Sequence, residues 1–166
     1  MFYPRPAFVI GSGVPPEANF MTASWVTPAS EEPPAVGVAV EKGTCTHKLI
    51  EKYGEFTVSV VQDPETLWYL GTTSCEEENK LEAVGWFEGE KVKAPVPKGA
   101  VGWAECKVLK SVDFGDVTFY FGEVVHWKAV KGFGRWGWDL KEVKVPLQKA
   151  GRLFLLPPCE ERWVKK

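Results

Sequence analysis

The sequence predicts a mainly β fold, a closed or partly closed β-barrel with short helices in its connections. Six or seven short runs of β-forming composition are cut by turn residues. Thirteen prolines and sixteen glycines among 166 residues leave little room for long helices. The two or three helical stretches are short and lie between strands, which disfavours a doubly wound α/β sheet. A chain of this length fits one domain over residues 1–166, with a core that needs no metal or disulfide.

Taken in order, Phe8-Val9-Ile10 is a short strand and Gly11-Ser12-Gly13-Val14-Pro15-Pro16 a turn. The glycines are not a dinucleotide fingerprint, because Pro16 stands where the third glycine belongs and no amphipathic helix follows. Asn19 to Thr27 is the strand around which the chain is organised. Phe20, Thr22, Ser24 and Val26 point one way; Asn19, Met21, Ala23, Trp25 and Thr27 point the other. Each face mixes apolar with polar groups, which suits a strand lining a pocket for a flat, partly polar ligand.

Pro28 to Pro34 reads as a loop and Ala35 to Val40 as a strand buried on both faces. Thr46 to Tyr53 is a short helix. Thr44 or Thr46 caps it, Leu49, Ile50 and Tyr53 form its apolar face, and Gly54 ends it. Phe56 to Val61 is a strand. Pro64-Glu65 then opens a helix through Leu70, with proline in the first turn where its missing N–H costs nothing. Gly71 to Asn79 is a polar loop, and Lys80 to Val84 a helical turn. The longest strand signals, Val101 to Val112 and Val117 to Val130, flank a hairpin turn at Asp113-Phe114-Gly115-Asp116. Phe133 to Trp138 is a glycine–aromatic loop, suited to packing or a subunit contact. Arg152 to Leu156 is a last strand before Pro157-Pro158 and a charged tail.

A net charge of −2 argues against a nucleic-acid binder driven by phosphate contacts. No apolar run approaches the roughly 20 residues of a membrane helix, and the start lacks the pattern of a targeting segment, so a cytoplasmic protein is expected. Cys45, Cys75, Cys106 and Cys159 lack the spacing of a zinc site; four cysteines could make two disulfides, but without an export signal free buried thiols are the expected state. His126 reads as a packed strand residue, Glu76 to Glu78 as a solvated run, and no nucleophile–base arrangement is readable.

The sharpest local signal is Lys42-Gly43-Thr44-Cys45-Thr46-His47-Lys48. A helix start with free N–H groups, flanked by hydroxyls and cations, is an anion site. The same residues also fit an ordinary capped surface helix, the commoner case. Gly71-Thr72-Thr73-Ser74 is a second hydroxyl cluster that likewise fits a helix end and loop.

In order and spacing, these stretches together resemble the flavin reductase-like family, in particular its flavoredoxin and ferric-reductase-like members. The resemblance runs from about residue 5 to 157. It rests on Asn19-x-Met21-Thr22-Ala23-Ser24-Trp25 with Pro33-Pro34, on Thr46-His47-x-Leu49-Ile50, and on Gly54-Glu55-Phe56-x-Val58. Gly71-x-x-Ser74 with Lys80-Leu81, Ala104-Glu105-Cys106-x-Val108, Gly115-Asp116 and Gly122-Glu123-Val124 complete it.

The resemblance implies an FMN-binding split β-barrel, with FMN held non-covalently at the interface of a homodimer. It places Asn19 and Trp25 near the ring system, beside Met21 and Ala23, with backbone groups of Thr22 to Ser24 on the polar edge of the ring. It gives the phosphate to Thr46, with His47 and Lys42 nearby, and ribityl or phosphate oxygens to Thr73, Ser74 and Lys80. Phe154 would approach the ring, in its own subunit or its partner's. The implied activity is hydride transfer from NAD(P)H to the flavin, then electron transfer to free flavin, ferric iron or a protein acceptor, with no catalytic side chain required. A non-enzymatic FMN electron carrier and a flavin-free structural barrel are the alternatives. Two departures stand out: Val117 where many members have histidine, and Ser74-Cys75-Glu76 where many have Ser-Gly-Arg.

Overall fold

The structure, a computed structural model, describes residues 2–135 and 137–157. Trp136 of the glycine–aromatic loop, Pro158, Cys159 and the charged tail lie outside the described residues. The strands in chain order begin with β1 (Arg5–Pro6), β2 (Phe8–Val14), β3 (Glu17–Ala23), β4 (Val26–Glu31) and β5 (Pro34–Glu41). After α1 (Cys45–Tyr53) come β6 (Glu55–Val61), α2 (Pro64–Thr72) and α3 (Lys80–Val84). The short β7 (Trp86–Glu88) and β8 (Pro95–Pro97) pair with each other, followed by the long β9 (Ala100–Phe114) and β10 (Val117–Ala129). The chain ends in β11 (Phe133–Gly134), β12 (Gly137–Trp138), β13 (Leu147–Ala150) and β14 (Leu153–Leu155).

Seven strands form one antiparallel sheet in the order β3-β2-β6-β9-β10-β5-β4. Its two edges, β3 and β4, are consecutive in the chain but do not pair, so the barrel stays open along one seam. The backbone N–H of Ala39 donates to the carbonyl of Trp25 at 3.0 Å where the chain crosses that seam. The organising strand is thus two strands broken at Ser24-Trp25. The expected loop over 28–34 is instead largely the edge strand β4 and its hairpin into β5; proline is tolerated there because an edge strand has unpaired backbone. Gly11 to Gly13 continue β2, and the turn falls at Pro15-Pro16.

The sheet's curvature explains why β2 is apolar on both faces. Ile10 points into the barrel with Val38, Val40, Phe56, Cys106 and Tyr120. Val9 points outward with Phe20, Leu67, Leu70 and Leu81, under α2 and α3. β3 alternates in the same way: Phe20 faces the helices, Met21 and Ala23 the barrel.

α1 starts where Thr44 accepts a hydrogen bond from the His47 N–H and ends at Gly54, whose φ of 66° closes a left-handed cap. Asp63 caps α2 and Asn79 caps α3. Residues 90–94 have no regular structure. The Glu105 carboxylate accepts from the N–H groups of Glu90, Lys91 and Val92, and the Glu55 carboxylate from those of Lys93 and Ala94. Glu105 alternates with Ala104 and Cys106 along β9, yet it is fully buried. Cys45 and Cys75 are joined in a disulfide, which overturns the expectation of free thiols for this pair; Cys106 is a free buried thiol.

Candidate functional site

A trough runs along the open seam and over the tip of α1. Its larger part, a cavity of about 470 Å³, is floored by Asn19, Met21 and Thr22 of β3. One wall is Glu41 to Thr46, and the other is Leu70 to Glu76 with Lys80. A second cavity of about 270 Å³ shares Met21, Thr22 and Glu41 and continues along Ala23, Ser24 and Trp25 to Ala39, Asp116 and Val117. A third, of about 430 Å³, shares Trp25, Asp116 and Val117 and is lined mainly by apolar and aromatic groups, Phe2, Phe114 and Phe119 among them.

The α1 end of the large cavity gathers hydrogen-bond donors into a cradle suited to an anion, while the acidic Glu41 and Glu76 also line the cavity. Cys45 and Thr46 begin α1, where N–H groups have no carbonyl to bind within the helix. Thr46 is almost fully buried, and its Oγ1 accepts from Asn19 Nδ2 at 3.0 Å, which leaves the hydroxyl proton available. Across the cavity, Thr73 and Ser74 bring further hydroxyls. Thr22 Oγ1 is shut away from solvent with no hydrogen-bond partner, an arrangement that costs free energy. The site is narrow there because Gly71 passes close by; a Cβ on it would stand 3.3 Å from that of Thr22.

Among the described residues that line the large cavity, Lys80 is the cation, and its ammonium is turned inward. It donates to the carbonyls of Phe20 at 3.0 Å and Leu70 at 3.1 Å, and burial lowers its pKa. It ties β3 to the end of α2 and keeps one N–H for the cradle. At the other end of the trough, Trp25 Nε1 donates to the Tyr3 hydroxyl at 3.1 Å, and Ser24 Oγ lies 3.3 Å from that hydroxyl. The bond to Ser24, then that to Trp25, holds the Tyr3 hydroxyl below its ordinary pKa.

Ten of the expected site residues therefore meet along one trough: Asn19, Met21, Thr22, Ala23, Ser24, Trp25, Thr46, Thr73, Ser74 and Lys80. Three do not line these cavities. Lys42 reaches the β9–β10 turn, 3.2 Å from the Gly115 carbonyl and 3.3 Å from Asp113. His47 turns to β10, with Nε2 3.0 Å from Thr118 Oγ1. Phe154 packs on the core beneath α2 and α3. Closeness in the chain to Thr46 suggested the first two, but His47 lies on a different face of α1, and Lys42, in the turn before the helix, is drawn to Gly115 and Asp113. Sequence reasoning missed Glu41 and Cys75 as lining residues, and no local pattern marks either.

The family model described as flavin reductase like domain matches residues 1–136. The chain belongs to the flavin reductase-like family. The resemblance read from the sequence is thereby confirmed. A solved flavoredoxin from Methanosarcina acetivorans superposes with a TM-score of 0.89 at 25% identity, covering 100% of this chain and 91% of the other. An FMN-binding protein from Thermus thermophilus gives 0.87 at 27% identity, covering 99% and 92%. The NADH-dependent FAD reductase of Streptomyces globisporus is 30% identical over 122 residues, 70% of this chain and 67% of that protein. This flavin reductase-like chain thus has a flavin-related redox function on a split-barrel fold.

Proposed function

We propose that this chain is an FMN-dependent oxidoreductase that takes hydride from NAD(P)H and passes electrons to a small-molecule or protein acceptor. The observation that carries the flavin reading is the trough itself, which joins the free α1 N–H groups and hydroxyls at one end to an apolar, aromatic end at the other. The donor set fits FMN. The α1 N–H groups and the Thr46, Thr73 and Ser74 hydroxyls would hold the phosphate and ribityl oxygens. Asn19 fixes the Thr46 hydroxyl, while Thr22 to Ser24 and Trp25 would orient the ring and shield one edge from water. When bound, the flavin supplies the hydride and electron chemistry. The protein's part is position and local charge, and no side chain need act as acid or base. The family's FMN dimer is part of the same proposal, supported by the apolar side chains this chain exposes on its long strands, Leu109, Phe114 and Trp127.

The likeness to a flavoredoxin supports a second reading, an electron carrier that does not react with nicotinamide. The test is the spectrum of purified, FMN-loaded, desalted protein, followed by anaerobic NADH or NADPH. Retained flavin absorbance with rapid bleaching supports the reductase. Retained colour that only a protein donor bleaches supports the carrier. Loss of all flavin on desalting, with no binding in a direct FMN titration, overturns both.

A further inference from the structure

We infer that Cys45 and Cys75 form a thiol–disulfide switch that sets how tightly the cradle holds its flavin phosphate, an inference that rests on the flavin reading above. Cys45 is the first residue of α1 and adjoins Thr46; Cys75 follows Thr73-Ser74. Their disulfide spans 30 residues of chain and joins opposite walls of the large cavity. Both are half-buried, within reach of a small dithiol. Cys106, by contrast, is sealed in the barrel, where burial and the Glu105 charge push its thiol up to about 12.

The bridge matters because the walls otherwise meet only through the β3 floor, by Lys80 to the Phe20 and Leu70 carbonyls on one side and Asn19 to Thr46 on the other. Among the described residues, no hydrogen bond or ion pair joins residues 71–79 to α1. Ser74 N–H donates to Glu77, Glu76 N–H to Ser74 Oγ, and the Tyr69 hydroxyl to Glu78; these bonds shape the loop without fixing its place. With the bridge closed, Thr73 and Ser74 are held facing Thr46. With it open, their ordering must be supplied on binding, which weakens affinity. A dithiol opens the bridge by exchange. Its two electrons and two protons leave two protein thiols, and the donor departs as a disulfide.

Three measurements test this. Mass mapping of a non-reduced digest should show a peptide linking Cys45 to Cys75. FMN fluorescence quenching on the whole protein should give a Kd roughly tenfold weaker after dithiothreitol, the ordering of about two side chains. Cys45→Ser and Cys75→Ser should each bind FMN like the reduced protein and ignore dithiothreitol. If either variant fails to fold, the wild-type comparison with and without dithiothreitol decides alone. Free thiols in the unreduced protein, or an unchanged or tighter Kd on reduction, overturn the switch and leave the flavin reading standing. No FMN binding in either redox state overturns both.

Discussion

Two buried polar side chains show how single residues divide between site and scaffold. Thr22 has a hydroxyl without a partner, so replacing it with valine should remove an unsatisfied group. Thr22→Val should raise the stability of the flavin-free protein by about 1 kcal/mol in urea titration. The same change should weaken FMN binding, so stability and affinity move in opposite directions. A residue serving the scaffold alone would lose both. Glu105 is the contrary case. Burial works to raise its pKa, but three backbone N–H groups and Trp103 Nε1 bind the carboxylate and bring it below its ordinary value. Its folded-state pKa thus lies below its unfolded one, and the stability it adds is present above the usual carboxylate range and lost as pH falls through the folded value. Glu105→Gln should cost about 2 kcal/mol at neutral pH, where a charged acceptor is lost. The variant's urea midpoint should also fall less than the wild type's below about pH 4.

At the scale of elements, α1 carries the cradle, and its start depends on one hydroxyl. Thr44 Oγ1 accepts from the His47 N–H at 3.3 Å and donates to the Glu41 carbonyl at 2.8 Å, fixing both the helix and the turn before it. Thr44→Ala should lower stability by about 1 kcal/mol, read as a drop in thermal midpoint. This helix was legible in the sequence because its signals are local: a capping hydroxyl, an apolar stripe and a glycine stop. The β9–β10 hairpin was legible for the same reason, with Gly115-Asp116 between two long alternating runs. β4 was not, because Pro28 and Pro33-Pro34 read as breakers unless the strand is known to lie at an edge. The pairing of Cys45 with Cys75 was equally hidden, since 30 residues of separation carry no distance information. The burial of Glu105 was masked because its partners are backbone groups of a distant irregular segment. The floor of the site was readable from the two-faced composition of residues 19–25; which neighbouring cations turn away from it was not.

At the scale of the molecule, the trough draws lining residues from both sides of the seam, Met21 to Ala23 from β3 and Ala39 and Val117 from β5 and β10, and the exposed apolar groups of β9 and β10 bear on assembly. Sedimentation velocity of the FMN-loaded protein should show a dimer at micromolar concentration. A monomer that retains flavin would leave the cradle intact and remove the proposed interface. The unclosed sheet also has a bearing on colloidal behaviour. At one free border, β3, Phe20 packs under α2 and α3 and its carbonyl is bound by Lys80, but the other, β4, has its backbone open to recruitment by a foreign strand. Pro28 withholds one donor, a bulge between Pro28 and Ser30 bends the border, and Glu31 adds charge. Removing two of these guards in Pro28→Val/Glu31→Val should seed thioflavin-positive fibrils from concentrated solutions that otherwise stay clear.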